Sequence, residues 1–465
     1  MIDETQPSDV DDSYGVVDIG YYRTFFREIA PAWLDHVGLL SGFAPPERSD
    51  GFTWCDLGCG QGVSVVLLAA TNPSGSFHGV DLQPQHVAHG RRLAAEIELG
   101  NAQFRVADFN NWDGDLPDCD YIVAHGVYSW VAPKTQGAMR RLIARHLKPG
   151  GLLYVSYNAM PGWAADLPFQ RLLRQLAQLH AGDTVERLAP ALATVNALTE
   201  LGVPALAASR VAAAARQANP FDLAHHYMVS AWQPLFVTEV RATMRDIGLT
   251  PAGSATLIEN YDSFVLGGKA RELLAGIEHE DTREMVRDYF IHQRFRRDVF
   301  VKGGRRIDDR ERRGRLMSSH YALTRPSEVI ELLVKTPAGR LRFDNDTART
   351  IIARLTEGPT SLAELAAAAP GQEDEVILAN ALTLCAAGVV QPVAEGVASV
   401  ARVNDAIVRR LGGTDEIPAL ALPCGTGLRF PRELLRRLCD PTASDPDTLA
   451  WRPFLARQGV QPRGP

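Results

Sequence analysis

Residues 52–62, with the sequence FTWCDLGCGQG, constrain the fold of this 465-residue chain more than any other stretch. Their apolar half predicts a buried β-strand that ends beside Asp56, and the apolar run after the last glycine predicts a helix. Gly58, Gly60 and Gly62 tolerate the positive φ angles of a tight turn and let a ligand approach the backbone. The segment therefore predicts a strand, a ligand-binding loop and a helix whose free N–H groups point at the ligand.

The spacing of the glycines distinguishes two classes of ligand. Loops that bind dinucleotides have the sequence GxGxxG, with a pyrophosphate on the N-terminus of the helix. Here the loop has the sequence GxGxG, and Asp56 stands two residues ahead of it. A carboxylate beside the loop would repel a phosphate, whereas it would attract an ammonium group.

Two further acids follow predicted strands in the same way. Residues 76–80 predict a second strand that ends at Asp81, and residues 103–106 predict a third strand that is followed by Asp108 and Phe109. A carboxylate at the end of the second strand of a parallel α/β sheet can accept the two hydroxyls of a ribose. Because the carboxyl ends of parallel strands meet at one edge, we expect the acids to line one crevice.

This pattern of glycines and acids resembles the class I S-adenosylmethionine-dependent methyltransferases. The resemblance implies a doubly wound, Rossmann-like α/β sheet and S-adenosylmethionine as the cofactor. It also implies that Asp56 lies near the amino end of the cofactor, that Asp81 binds the ribose, and that Asp108 meets the adenine beside an apolar neighbour. The implied cofactor-binding residues are Asp56, Gly58, Gly60, Gly62, Asp81, Leu82, Asp108, Phe109, His125 and Tyr14.

An N-terminal lid is one of two interpretations of the tyrosines that precede the first strand. Residues 19–40 show a helical stripe of apolar side chains. Tyr14, Tyr21 and Tyr22 stand where many members of the family fold a segment over the cofactor. Ordinary packing is the other interpretation, and it is the favoured one for any single tyrosine.

Polar side chains follow the fourth and fifth predicted strands, 118–124 and 152–157. His125 and Tyr128 follow the fourth strand and Asn158 follows the fifth, at the edge where open α/β sheets bind ligands. We predict these three residues as the catalytic set. An imidazole, with an ordinary pKa of about 6.5, can accept a proton near neutral pH. A histidine at a strand end can equally cap the next helix.

The motifs HGVYSWV, YNAMPGW, HHYMVSAWQPLF and FRRDVFVKG follow the glycine loop in this order. Together they resemble, over residues 14–303, the bacterial methyltransferases that carry a methyltransferase regulatory domain. That group includes protein-lysine methyltransferases that act on outer-membrane proteins, so the resemblance implies a protein lysine as methyl acceptor. Two alternatives stay open. An aromatic crevice of Tyr128, Trp130 and Trp163 would suit a small metabolite, and the chain could be a non-catalytic cofactor-binding scaffold.

The middle of the chain predicts helices and a last pair of strands. Residues 166–218 have helical periodicity, and residues 249–258 and 297–302 are the candidates for the antiparallel pair that closes a class I sheet. The adjacent His225 and His226 invite a metal interpretation, which we do not favour because no third ligand has a suitable spacing.

Residues 294–315 carry ten basic residues against four acidic ones. Such a stretch could hold an acidic protein segment or nucleic acid. A solvated arm at a domain boundary is the favoured interpretation.

The C-terminal part predicts a winged-helix-like module of three helices followed by a strand. The helices are predicted at 347–355, at Ser361 with Glu364 as a capping box, and at 373–387. The third helix opens with three acids and contains no Lys or Arg, so we expect the module to dock protein rather than DNA. One further helix is predicted at 431–438.

Composition sets the outer limits. The chain is 46% hydrophobic and 22% charged, and its net charge of −7 gives no overall attraction to nucleic acid. The six cysteines form no CxxC pair, and no apolar run could span a bilayer. We therefore expect a cytoplasmic protein without a metal site or membrane insertion, and leave a homo-oligomer open.

The expected parts are an N-terminal extension or lid (1–50), a cofactor-binding core (51–165), a helical and regulatory region that could supply the last two strands (166–320), the winged-helix-like module (321–410) and a tail (411–465).

Overall fold

The computed structural model describes residues 23–112, 115–207, 209–214, 223–224, 227–396, 398–458 and 460. Tyr14, Tyr21 and Tyr22, which are the lid candidates, lie outside the described residues, and so do His225 and His226. What the sequence indicates about these five residues stays a prediction.

A seven-stranded mixed sheet lies at the centre of the protein. Its strands are β1 (Phe52–Leu57), β2 (Gly75–Asp81), β3 (Ala102–Val106), β4 (Cys119–Ala124), β5 (Leu147–Asn158), β6 (Leu249–Ser254) and β7 (Phe295–Lys302). Their order is β3-β2-β1-β4-β5-β7-β6. Strands β1 to β5 are parallel, and β7 is antiparallel to both β5 and β6. The predicted Rossmann-like sheet and its closing antiparallel pair are confirmed.

Strand β5 begins earlier than the sequence predicts. Leu147 already pairs with Cys119 of β4, and regular pairing resumes where Leu152 meets Tyr121. The intervening residues 148–151, which precede the predicted strand at 152–157, therefore form an irregularity within β5. From the end of the irregularity onward the strand lies in the core, and residues 151–159 are all buried.

Helices pack on both faces of the sheet. Alternate strand residues point to opposite faces, so apolar side chains of one strand pack into two separate clusters. Trp54 of β1 belongs to the apolar cluster on one face and Cys55 to the cluster on the other. Within the described residues, no helix is both long and apolar enough to cross a membrane. The helices are α1 (Pro31–Leu40), α2 (Val63–Thr71), α3 (Pro84–Glu96), α4 (Pro133–His146), α5 (Leu167–Ala177), α6 (Thr184–Glu200), α7 (Pro204–Ala207), α8 (Arg210–Ala214), α9 (Val237–Arg245), α10 (Asp262–Val265), α11 (Gly268–Ala275), α12 (Glu280–Ile291), α13 (Asp309–Ser318), α14 (Asp346–Leu355), α15 (Leu362–Ala367), α16 (Asp374–Ala386), α17 (Ala401–Val408), α18 (Arg432–Cys439) and α19 (Pro446–Arg457).

The helical middle region has an apolar cluster of its own. Phe169 and Leu173 of α5 pack there with Leu188 of α6. Helix α6 begins with a capping box, in which the Asp183 side chain accepts the N–H of Glu186 and the Glu186 carboxylate accepts the N–H of Asp183. The predicted run of helices is confirmed over the part of residues 166–218 that the structure describes.

The C-terminal part contains more structure than the sequence predicts. Its strands are β8 (His320–Leu323), β9 (Leu333–Thr336), β10 (Gly339–Arg342), β11 (Thr360–Ser361), β12 (Val390–Val393), β13 (Ala419–Leu422) and β14 (Thr426–Arg429). Helices α14, α15 and α16 confirm the predicted trio, and Ser361 and Glu364 form the predicted capping box. The hairpin β13–β14 and helix α19 were missed. The hairpin is fixed by a tertiary contact, because Asn72 Nδ2 at the end of α2 donates to the Gly425 carbonyl between its strands (3.2 Å).

The basic stretch 294–315 is tied into the fold. Arg313 bonds the carboxylates of Asp374 and Glu375 at the start of α16. Arg306 Nη1 donates to the carbonyl of Ser41 (2.9 Å) at the end of α1. The interpretation of the whole stretch as a solvated arm is wrong, because residues 295–302 form strand β7 of the central sheet and Arg296 is buried.

Candidate cofactor and acceptor site

The glycine loop joins β1 to α2 in the predicted conformation. Gly58, Gly60 and Gly62 have φ angles of 91°, 53° and 74°. A Cβ atom on Gly58 would collide with the side chain of Val127, and one on Gly62 would lie 2.9 Å from the backbone of Gly90. The loop therefore requires glycine both for its left-handed conformation and for space.

Asp56 is a buried carboxylate at the floor of this loop. Asp56 is 4% exposed, and its Oδ1 has no hydrogen-bond partner among the described residues. Burial, reinforced by the charge of Asp81, raises the pKa of Asp56 from 3.8 to about 8. A buried acid without a partner favours a cationic ligand, because such a ligand restores the interactions that the carboxylate lost on leaving water.

Asp81 links the glycine loop to the end of β2. Its Oδ2 accepts the N–H of Gly60 (2.8 Å), and its Oδ1 accepts the N–H of Gln83 (2.9 Å). The ring nitrogen Nδ1 of His86 lies 3.1 Å from Oδ1. Each carboxylate oxygen has two lone pairs, so Asp81 retains acceptor capacity for a ligand.

The remaining predicted cofactor residues follow β2 and β3 at the same edge of the sheet. Leu82 is half-buried directly after β2. Asp108 is half-buried after β3, where it accepts the N–H of Asn110 (2.8 Å), and the neighbouring Phe109 is buried. The carboxyl ends of β1, β2 and β3 thus bring the three acids to one edge, as their spacing in the sequence predicts.

A cavity of about 30 Å³ lies between the glycine loop and the first described residues of the chain. Asp56 and Gly60 line one side, Thr24 and Phe26 the other, and His125 closes it from the end of β4. The space accommodates a group of the size of one or two water molecules. Sequence reasoning missed Thr24, which belongs to no motif, and assigned Phe26 only to a packing stripe.

His125 is half-buried between aromatic rings. Its ring centroid lies 3.7 Å from that of Phe26, and Nδ1 is 2.8 Å from the hydroxyl of Tyr154. Burial, reinforced by the positive charge of Arg297, lowers the pKa of His125 from 6.5 to about 3. The imidazole is therefore neutral at physiological pH and a weak base. It caps no helix, because the short 3₁₀ turn after β4 begins at Tyr128.

The other two predicted catalytic residues differ in their surroundings. Tyr128 is buried in the apolar cluster on the α4 face, and its hydroxyl accepts a hydrogen bond from Arg140 (2.7 Å). Asn158 is buried at the end of β5, and its Nδ2 has no partner within the described part of the chain. Of the three predicted catalytic residues, the structure brings only His125 to the cavity. Tyr128 and Asn158 do not line it, and Asn158 keeps a buried, unused donor at the end of β5.

Three tryptophans form a wall beside Asn158. The rings of Trp130 and Trp163 lie 6.1 Å and 5.2 Å from the ring of Trp232. The segment that contains Trp232 is attached to this edge, because Leu235 N–H donates to the Asn158 carbonyl (2.9 Å). The sequence predicts Trp130 and Trp163 here, but the arrival of Trp232 from a distant segment has no local signal.

These features fit S-adenosylmethionine. The buried carboxylate of Asp56 without a partner favours a cation, and the amino group of this cofactor is one. The glycine loop offers backbone without side chains, and Asp81 retains acceptor capacity for ribose hydroxyls. The acids are therefore chemically suited to the cofactor that the sequence predicts.

Family models match two parts of the chain. Residues 55–151, which span β1 to the middle of β5, match the family described as "Methyltransferase domain". Residues 220–302, which include α9 to β7, match the family described as "Predicted methyltransferase regulatory domain". The second match includes Trp232 and the last two strands of the sheet.

Similar proteins extend over the whole chain or over its core. Uncharacterized protein sll1526 from Synechocystis is 29% identical over 96% of this chain and 90% of that protein. The trans-aconitate 2-methyltransferase of Methylobacterium radiotolerans is 32% identical over 42% of this chain and 68% of that enzyme. The structure of PKMT2 from Rickettsia typhi in complex with AdoHcy has a TM-score of 0.67 at 18% identity, over 89% of this chain and 88% of that one. The chain belongs to the S-adenosylmethionine-dependent methyltransferases and carries the methyltransferase regulatory domain.

Proposed function

We propose that the protein transfers the methyl group of S-adenosylmethionine to a lysine side chain of another protein. The single observation that carries the cofactor assignment is the buried, unpartnered carboxylate of Asp56 at the floor of a glycine loop. The protein acceptor rests on the resemblance of the motifs over residues 14–303. The similarity in fold to the Rickettsia typhi protein, solved with AdoHcy bound, extends over both halves of the chain and is consistent with it.

The residues of the crevice would divide the work by position. Asp56 and the glycine loop would hold the amino-acid end of the cofactor, Asp81 the ribose, and Asp108 with Phe109 the adenine. Tyr14 would belong to the lid. S-adenosylmethionine supplies the electrophilic methyl group, so the protein contributes mainly orientation of the acceptor.

The acceptor would enter where β4 and β5 end. His125 and Asn158 are the polar groups there, and a neutral His125 with a lowered pKa is better suited to orient a nucleophile than to remove its proton. A lysine, with an ordinary pKa of about 10.4, reacts as the neutral amine, which a desolvated site favours. The wall of Trp130, Trp163 and Trp232 would provide such surroundings.

The decisive experiment is transfer of labelled methyl groups from S-adenosylmethionine into a lysate of a host that lacks the enzyme. We expect label in macromolecules, in methylated lysine that survives mild base. Asp56→Asn serves as the matched control, because it preserves the shape of the cofactor site and removes its charge. Two outcomes would contradict the proposal and favour a cofactor-binding scaffold. In the first, the same label appears when the wild-type protein is left out of the reaction. In the second, the wild-type protein transfers no label to any acceptor.

A small carboxylic acid is the second candidate acceptor. The observation in its favour is the similarity of the core to trans-aconitate 2-methyltransferases, for example 37% identity over 123 residues with the enzyme of Streptomyces coelicolor. In that case the label would appear in a small product, as a methyl ester that mild base hydrolyses. The size and base stability of the labelled product therefore separate the two candidates.

We further propose that the C-terminal part forms a winged-helix-like module that docks protein, and that the enzyme acts in the cytoplasm. The acidic start of α16 supports the first proposal, because Arg313 of α13 already bonds Asp374 and Glu375 there. A helix that presents acids bound to the rest of the chain offers no basic surface to DNA phosphates.

A further inference from the structure

We propose that a cavity between the end of β6 and helices α11 and α12 is a binding site for a small oxyanion with two negative charges, such as a phosphate group. The inference does not depend on the identity of the methyl acceptor. The cavity has a volume of about 440 Å³, which lies in the range of small-molecule sites. It falls within the regulatory region, residues 220–302.

The floor of the cavity contains buried arginines whose charges are balanced. Arg296 is 2% exposed and its Nη2 lies 2.7 Å from Glu284 Oε1. Arg287 is also buried and pairs with Asp262 (2.9 Å) and Glu284 (3.4 Å). Although burial opposes it, these arginines and Arg241 lower the pKa of Glu284 to about 2. The acids of the floor are thus committed to internal partners.

Glu259, the remaining acid of the lining, is satisfied by neutral donors. Its carboxylate accepts hydrogen bonds from Ser254 Oγ (2.8 Å) and Gln293 Nε2 (2.9 Å). Burial raises the pKa of Glu259, although these two hydrogen bonds and the charges of Arg296 and Arg287 oppose the shift. The hydrogen bonds of this carboxylate thus go to neighbours inside the protein, and it forms no ion pair with the arginines at the mouth.

The mouth of the cavity carries two arginines in excess. Arg271 of α11 and Arg283 of α12 are exposed, and both line the cavity. In the described part of the chain, neither side chain forms an ion pair or donates a hydrogen bond to another residue. Two guanidinium groups without partners at the rim of a concave surface concentrate positive potential there.

This arrangement selects the chemistry of the ligand. A guanidinium presents paired N–H donors that match the two oxygens of a carboxylate or phosphate. Two such groups facing one cavity match a ligand with two charges better than a chloride ion. The cavity floor also reaches the acceptor edge, because Arg296 pairs with Asp298 (3.0 Å), which accepts the hydroxyl of Tyr157 (2.6 Å), the neighbour of Asn158.

The test is a titration of the full-length protein with inorganic phosphate at constant ionic strength, followed by calorimetry and thermal unfolding. We expect saturable binding by the wild type and at least a tenfold weaker affinity in the double variant Arg271→Ala/Arg283→Ala. The matched control is Arg340→Ala/Arg342→Ala, which removes two exposed arginines from β10. The control should bind phosphate as the wild type does.

Hydrogen exchange locates the site independently. Phosphate should slow amide exchange in residues 253–262 and 283–296 of the wild type, and this protection should disappear in Arg271→Ala/Arg283→Ala. Equal phosphate affinity in both double variants, protection elsewhere in the chain, or no saturable binding by the wild type would overturn the proposal.

Discussion

Replacing Asp56 with asparagine should stabilise the cofactor-free protein and weaken cofactor binding at the same time. The carboxylate is buried, Oδ1 has no partner among the described residues, and the pKa is raised from 3.8 to about 8. Asparagine has nearly the same shape and no charge. The cost of holding an acid in this place is therefore removed, together with the group that would attract the ammonium end of the cofactor.

The magnitude follows from proton linkage. Between pH 3.8 and about 8 the folded state holds a proton on Asp56 that the unfolded state has released, so stability falls as pH rises through this range. The slope for one proton is about 1.4 kcal/mol per pH unit. At pH 7, roughly three units above the ordinary pKa, the upper limit of the destabilisation is about 4 kcal/mol. A buried amide without partners costs about 1–3 kcal/mol at every pH, so the net gain in stability is smaller.

The assay is urea unfolding of the cofactor-free wild type and Asp56→Asn at several pH values from 5 to 9. The difference in unfolding free energy should shift in favour of the variant by about 1.4 kcal/mol per pH unit up to pH 8 and then level off. Asp50→Asn, at an exposed carboxylate in a turn, is the control and should show no such trend. Calorimetry should find at least tenfold weaker binding of S-adenosylmethionine to Asp56→Asn. A difference in stability that does not change between pH 5 and 8 would refute the reasoning.

Three further predictions address the cofactor, the acceptor edge and the C-terminal part. Asp81→Ala should weaken S-adenosylmethionine binding tenfold or more, since a charged acceptor is worth about 1.5–3 kcal/mol; unchanged calorimetric affinity in a folded variant would remove the ribose assignment. His125→Ala should lower turnover with little change in cofactor affinity, and Asn158→Ala and Tyr128→Phe should have milder effects; wild-type rates in all three would place the reacting groups elsewhere. The full-length protein should show no salt-dependent binding to duplex DNA, and a steep dependence of micromolar affinity on salt would contradict a protein-docking role.

The sequence alone determined the elements whose signals are local. The spacing of Gly58, Gly60 and Gly62 predicted a left-handed loop, and acids placed at strand ends predicted that Asp56, Asp81 and Asp108 meet at one edge. Ser361 and Glu364 predicted a helix start, because a capping box needs only residues three apart. These predictions are confirmed. They could be made from the sequence because backbone conformation and strand direction depend on neighbouring residues and on the handedness of the chain.

The tertiary structure decided what depends on contacts between distant segments. It brought Phe26 onto His125, placed Trp232 beside the end of β5, and fixed the hairpin β13–β14 on Asn72. It also decided protonation, because the raised pKa of Asp56 and the lowered pKa of His125 both result from burial. Burial is a property of the packed molecule, and no spacing of residues along the chain contains it.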